Sequence, residues 1–178
     1  MRKVVFIGLL LAAAAARGAP SLFGVELGQQ AAEIPVCESP QPAAMCQRGD
    51  GGTHGADIRY PAESLPDYVK GGVWSNLDDG GRILRIQVPT RADDAKNVLA
   101  ALTRKFGKPT ATAQPRLQNA FGAGFNGLNA TWKLPGGYDL KFRAIDEDVN
   151  TGLIELTGPQ WRAELAKDQA KQAKRVAP

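Results

Sequence analysis

Five stretches of this chain alternate apolar and polar residues with a period of two, and this alternation limits the fold more than any other feature. Phe23, Val25 and Leu27 share one side of the first, and Leu84, Ile86 and Val88 oppose Arg85 and Gln87 in the second. Leu128, Ala130, Trp132 and Leu134 oppose Asn129, Thr131 and Lys133; Leu140, Phe142 and Ala144 oppose Asp139, Lys141 and Arg143; Ile154 and Leu156 oppose Glu155 and Thr157. Strands with one buried and one wet face belong to antiparallel sheets, whereas doubly covered parallel strands read as unbroken apolar runs. The turns agree. Asp78-Asp79-Gly80-Gly81 separates a Val73-Trp74 strand from the Arg82–Val88 strand, and Pro135-Gly136-Gly137 separates the Trp132 and Leu140 strands. Glycine supplies the positive φ that hairpin turns require.

One helix is well marked over Ala92–Phe106. Thr90 is placed to cap it with Asp93 three residues on; Ala95, Val98, Leu99, Leu102 and Phe106 form one apolar stripe; Gly107 and Pro109 stop it. Pro159–Val176 predicts a second helix, with Trp161 and Leu165 docking on the sheet and the rest too polar to pack. The expected fold is therefore α+β: an antiparallel sheet of about five or six strands, one helix packed on one face, and a C-terminal helix. Residues 19–158 form the domain and 159–178 a basic helix or tail.

The first eighteen residues read as a secretory signal peptide. Arg2 and Lys3 precede an apolar run from Val4 to Ala16, too short to span a bilayer, and small residues follow, with cleavage expected after Gly18. No later stretch is apolar enough to span, so the processed chain is expected to be soluble and periplasmic or secreted. Removing residues 1–18 takes three of the 22 basic residues and none of the 18 acidic ones, which moves the formal charge from +4 to +1. An apolar fraction of 43% excludes a disordered chain.

Export governs the reading of Cys37 and Cys46. In an oxidising compartment the simplest outcome is one disulfide, worth roughly 2.7 kcal/mol by loop entropy. A metal site that adds His54 and Asp57 is the rival, against which the Cys-x8-Cys spacing departs from the tight knuckles of zinc sites; free thiols are the third reading.

Other motifs fail on context. Gly122-Ala123-Gly124-Phe125-Asn126-Gly127 matches G-x-G-x-x-G, but it leads into a strand instead of opening a helix, so no dinucleotide is expected. Asp146, Asp148 and Asn150 begin like a calcium loop, but Thr151 and Thr157 stand where that loop needs Gly and Glu; an acidic turn is the plainer reading. His54 is the single histidine, in a glycine-rich loop, and the four serines have no nucleophile context. Expectation therefore favours a non-enzymatic binding or accessory protein of the cell envelope without cofactor or resident metal. It would act through loops around Cys37–His54 and Pro115–Gly127, where Phe121, Phe125, Asn126 and His54 are candidate contacts. A small hydrolase using His54 with Asp50 or Asp57 is the alternative.

Lys167, Lys171, Lys174 and Arg175, with Arg162 against Glu164 and Asp168, give the tail a local +3 and leave residues 19–158 at −2. A solvated helix face is the ordinary outcome of such a pattern, and tethering to an anionic surface through those four cations is the alternative. No nucleic-acid partner is expected; an envelope protein or small ligand is.

Leu99-x2-Leu102-x2-Lys105-Phe106-Gly107-Lys108-Pro109-Thr110, then Thr131-Trp132 and Gly152-Leu153-Ile154-Glu155-Leu156, together with Leu22-Phe23-Gly24-Val25-x-Leu27-Gly28, resemble small exported proteins of Gram-negative bacteria. The shared motifs are structural. The resemblance implies a periplasmic location and a compact α+β domain, and it transfers no catalytic residue.

Overall fold

The computed structural model describes residues 18–48, 54–118, 122–146 and 148–176; the expected signal segment, residues 1–17, lies outside them. The chain is α+β, built on one antiparallel sheet. Strands β1 (Ser21–Leu22) and β2 (Val25–Glu26) form a small hairpin. β3 (Cys46–Arg48), β4 (Gly55–Arg59), β5 (Val73–Leu77) and β6 (Ile83–Arg91) then lead to helix α1 (Ala95–Phe106). β7 (Ala111–Ala113) and a side hairpin of β8 (Arg116–Gln118) and β9 (Gly124–Asn126) follow. β10 (Asn129–Leu134), β11 (Tyr138–Arg143), β12 (Thr151–Thr157) and helix α2 (Pro159–Val176) complete the chain. The main sheet has eight strands in the order β3-β4-β5-β6-β12-β11-β10-β7.

The strand count exceeds the five or six expected because three members lack an apolar alternation of readable length. β3 and β7 are three residues long, β3 turns Gln47 toward the core, and β7 is exposed throughout. β4 buries Ala56 and Ile58 but also Asp57. The Phe23–Leu27 alternation is also corrected. Phe23 (φ +52°) and Gly24 (φ +86°) turn the chain back on itself, and Leu22, Val25 and Leu27 are the buried members. A left-handed Phe costs about 1–2 kcal/mol. The Tyr60 hydroxyl, donating to the Phe23 carbonyl at 2.9 Å, holds that turn in place, and burial pushes the Tyr60 phenol above its usual pKa.

One face of the sheet carries the core. Following the register, Ile58, Val73, Ile86, Val88, Ile154, Leu156, Leu140, Phe142, Ala130 and Trp132 lie on it. Val98 and Leu102 of α1 cover one half of that face, and the N-terminal segment through Ile34 covers the other. The segment is fixed by Gln47, whose side-chain amide donates to the Ala31 and Ile34 carbonyls at 2.8 and 2.9 Å. Trp132 spans the join, its indole N–H donating to the Gly107 carbonyl at 2.8 Å just past the end of α1.

Thr90 does not cap α1. It stays in β6, paired with Gly152 and fully buried, and a 3-10 turn at Ala92–Asp94 opens the helix instead. The sheet ladder reaches Arg91 opposite Thr151, so strand pairing takes the residue that a cap would have used. The other end is as expected, with Gly107 at φ +82° donating to the Thr103 carbonyl.

Cys37 and Cys46 form a disulfide, with Cα atoms 5.0 Å apart. It fastens the loop carrying Pro40 and Pro42 to edge strand β3. Replacing both cysteines by Ser is expected to lower unfolding free energy by about 2–3 kcal/mol. Thiol alkylation of the native and reduced protein checks the bond, since only the reduced form should react at both positions.

Candidate functional site

The second face of the sheet is polar, and α2 covers part of it. Because neighbouring strands are antiparallel and in register, one row of side chains crosses almost the whole sheet: Arg48, Asp57, Trp74, Gln87, Glu155, Lys141 and Thr131 are successive cross-strand partners. The adjacent row holds Asn76, Arg85, Thr157, Asp139 and Lys133. The α2 helix sits over this second row. Arg85 lies 5.2 Å from the Trp161 ring centroid, and Arg162 donates to Asp139 Oδ2 and to the Gly137 carbonyl, both at 2.7 Å. Leu165, expected to dock beside Trp161, is 41% exposed, because only the first turn of α2 meets the sheet.

Trp74 is the exception on this face. Val73 and Ser75 point into the core, which turns the indole outward, and it is 48% exposed. Its register neighbours are Asp57 on β4 and Gln87 on β6. Asp57 is 4% exposed; Arg59 Nε donates to its Oδ2 at 2.8 Å, while Oδ1 has no hydrogen-bond partner among the described residues. Asn76 Oδ1, on the same side of β5, is also buried without a partner among the described residues. Such acceptors cost roughly 1–3 kcal/mol each when left unsatisfied.

Charge on this face follows a simple pattern. Asp57 pairs with Arg59 and Glu155 with Arg85. Asp139 is shared by Lys133 and Arg162, and Asp146 pairs with Arg143. Each of these four carboxylates is neutralised, and exposed Arg48 and Lys141 have no ion-pair partner among the described residues.

A cleft of about 640 Å³ lies beside α2, lined by His54, Asn76, Leu84, Asp79, Trp161 and Glu164 among others. Leu84 reaches it through a bulge at Asn76/Leu77. Ile83 thereby takes the core side with Ile86 and Val88, which corrects the expected grouping of Leu84 with those two. His54 Nδ1 stands 3.9 Å from Asp79 Oδ1, both well exposed. No hydrogen bond or ion pair joins it to Asp57, whose carboxylate is turned to Arg59, and Asp50 lies outside the described residues. The pairing needed for general-base hydrolysis is thus not assembled between His54 and Asp57.

The two loop regions expected to bind are not neighbours. The Cys37–His54 region flanks β3 and the Pro115–Gly127 region follows β7, and these strands are the opposite edges of the sheet. In the second region Phe125 pairs with Leu117 across the β8–β9 hairpin and is half-buried, and Asn126 is exposed; Phe121 lies outside the described residues. Asp146 accepts from Arg143 Nε at 2.6 Å, and Asp148 Oδ1 accepts from the Asn150 N–H at 2.7 Å. The Thr151 side chain and that N–H hold the Asp148 carboxyl below its usual pKa. These oxygens serve a turn, and among the described residues no group of three or more His, Cys, Asp or Glu is placed to hold a metal ion. Lys167 pairs with Glu164 at 2.7 Å; the side chains of Lys171, Lys174 and Arg175 lie outside the described residues. Among the described residues no helix is long and apolar enough to cross a membrane.

Sequence reasoning overlooked Trp74. The signal was present: an aromatic on the polar phase of a strand, between Val73 and Ser75, cannot share the core with them. No family model matches the chain, and no curated protein or solved structure matches it either.

Proposed function

We propose that this chain is an exported, non-enzymatic binding protein of the cell envelope, and that its ligand lies on the polar face of the sheet around Trp74. The observation that carries the reading is the half-exposed indole on a central strand. Large aromatics contribute most when buried, and one held out to solvent by a rigid strand has its binding geometry set in advance. Export is supported by Arg2-Lys3 with the apolar run behind them, and by the disulfide, which persists in oxidising compartments. His54, exposed beside Asp79 and lacking a nucleophile, is assigned no catalytic role.

Sedimentation with purified envelope fragments tests this reading. Wild-type protein is expected in the pellet, and Trp74→Ala should weaken the apparent affinity about tenfold, the loss of roughly 1.4 kcal/mol. Thermal unfolding of the variant should match wild type, since the removed ring is not in the core. Equal retention of the two proteins would reject the face as the binding surface.

A further inference from the structure

We infer that the ligand of this face is a linear polysaccharide bearing carboxylates, an inference that rests on the reading of Trp74 as a binding residue. The first argument is the sign of the charge. The domain over residues 19–158 sums to −2, yet around Trp74 the cations outnumber the acids: Asp57 and Glu155 are paired by Arg59 and Arg85 from outside the row, while Arg48 and Lys141 have no ion-pair partner among the described residues. Such a surplus selects an anion.

The second argument is spacing. Adjacent strands stand about 4.8 Å apart, so Arg48, two strands from Trp74, and Lys141, three strands away on the other side, lie roughly 10 and 14 Å from it. A single small anion cannot reach both. An extended chain crossing the strands can, with a ring of the polymer stacked on the indole between them.

The third argument separates a glycan from the other common linear polyanion. Single-stranded nucleic acid is held by a series of aromatics along a continuous basic groove. Here the row through Trp74 holds no second aromatic. The half-buried Gln87 amide beside the indole, both donor and acceptor, suits the hydroxyl groups of a sugar, where a phosphodiester backbone offers few donors. A sugar ring, apolar on its C–H face and ringed by hydroxyls, matches an indole flanked by Gln87.

Affinity electrophoresis of the exported protein in gels containing polygalacturonate, dextran or oligo-dT tests the inference. Polygalacturonate should retard the wild type, dextran should not, and oligo-dT should bind at least about tenfold more weakly than polygalacturonate. Trp74→Ala should abolish retardation, Trp74→Tyr should restore part of it, and Lys141→Glu should weaken it several-fold, with added salt acting in the same direction. Lys141 is exposed, so Lys141→Glu should remain folded and inform even where a Trp74 variant does not. Equal retardation by dextran, tighter binding of oligo-dT, or no retardation by polygalacturonate would overturn the inference. Envelope retention that depends on Trp74, without polygalacturonate binding, would leave the binding face standing and remove only its ligand class.

Discussion

Trp132→Ala should lower the free energy of unfolding by about 3–5 kcal/mol, measured by urea denaturation. The indole is 1% exposed and lies where β10, the end of α1 and the sheet core meet. Truncation removes a large apolar surface, leaves a cavity that a sheet cannot collapse to fill, and strips the Gly107 carbonyl of its donor. Trp132→Phe separates these effects. It keeps most of the ring and loses the hydrogen bond, so the expected cost falls to about 1–2 kcal/mol. A Phe variant as unstable as the Ala variant would show that the N–H to Gly107, not the packing, dominates.

Gly152→Ala is expected to cost about 3 kcal/mol or more, although it adds a single methyl group. A Cβ at this position would stand 2.7 Å from the Arg143 carbonyl oxygen, 2.8 Å from that of Ala144 and 2.7 Å from Thr90 Oγ1. Two of these three atoms are backbone and cannot swing aside. Gly107→Ala provides the contrast. It meets nothing within 4 Å, but φ +82° with ψ −171° is a conformation open essentially to glycine alone, so its cost is conformational, about 1–3 kcal/mol. In the double variant Gly152→Ala/Thr90→Ala only the hydroxyl clash is removed, and most of the loss should persist. Full recovery there would mean that the Arg143 and Ala144 carbonyls yield easily and that Thr90 alone excludes a side chain.

The fold was readable where local and tertiary signals coincide. β6, β10, β11 and β12 each show a long alternation, the glycine turns between them sit where hairpins need them, and the α1 stripe places Val98 and Leu102 inward. Strands β3, β4 and β7 were hidden because they are recruited by their neighbours. A three-residue edge strand needs a free ladder beside it more than it needs a pattern of its own. Thr90 and Leu84 misled for the same reason in two forms. Thr90 could serve a helix or a strand and β12 claimed it; Leu84 shares a period with Ile86, and the bulge at Asn76/Leu77 broke that period. The site was less legible than the fold. Glycine-rich loops drew attention to His54, Phe121 and Asn126, whereas the surface that gathers an exposed aromatic and exposed cations is made of strand residues far apart in sequence.

The sequence alone determines an α+β chain with an antiparallel sheet, two helices and one Cys pair, because period, turn chemistry and residue type are local properties. Register is not local. It takes the pairing of β3 through β12 to set Arg48, Asp57, Trp74, Gln87, Glu155 and Lys141 side by side, and the sheet order to put the two loop regions at opposite edges. Only the tertiary structure decides that Trp74 faces solvent, since an aromatic gains from burial wherever a covering layer exists, and over that part of the sheet α2 supplies none.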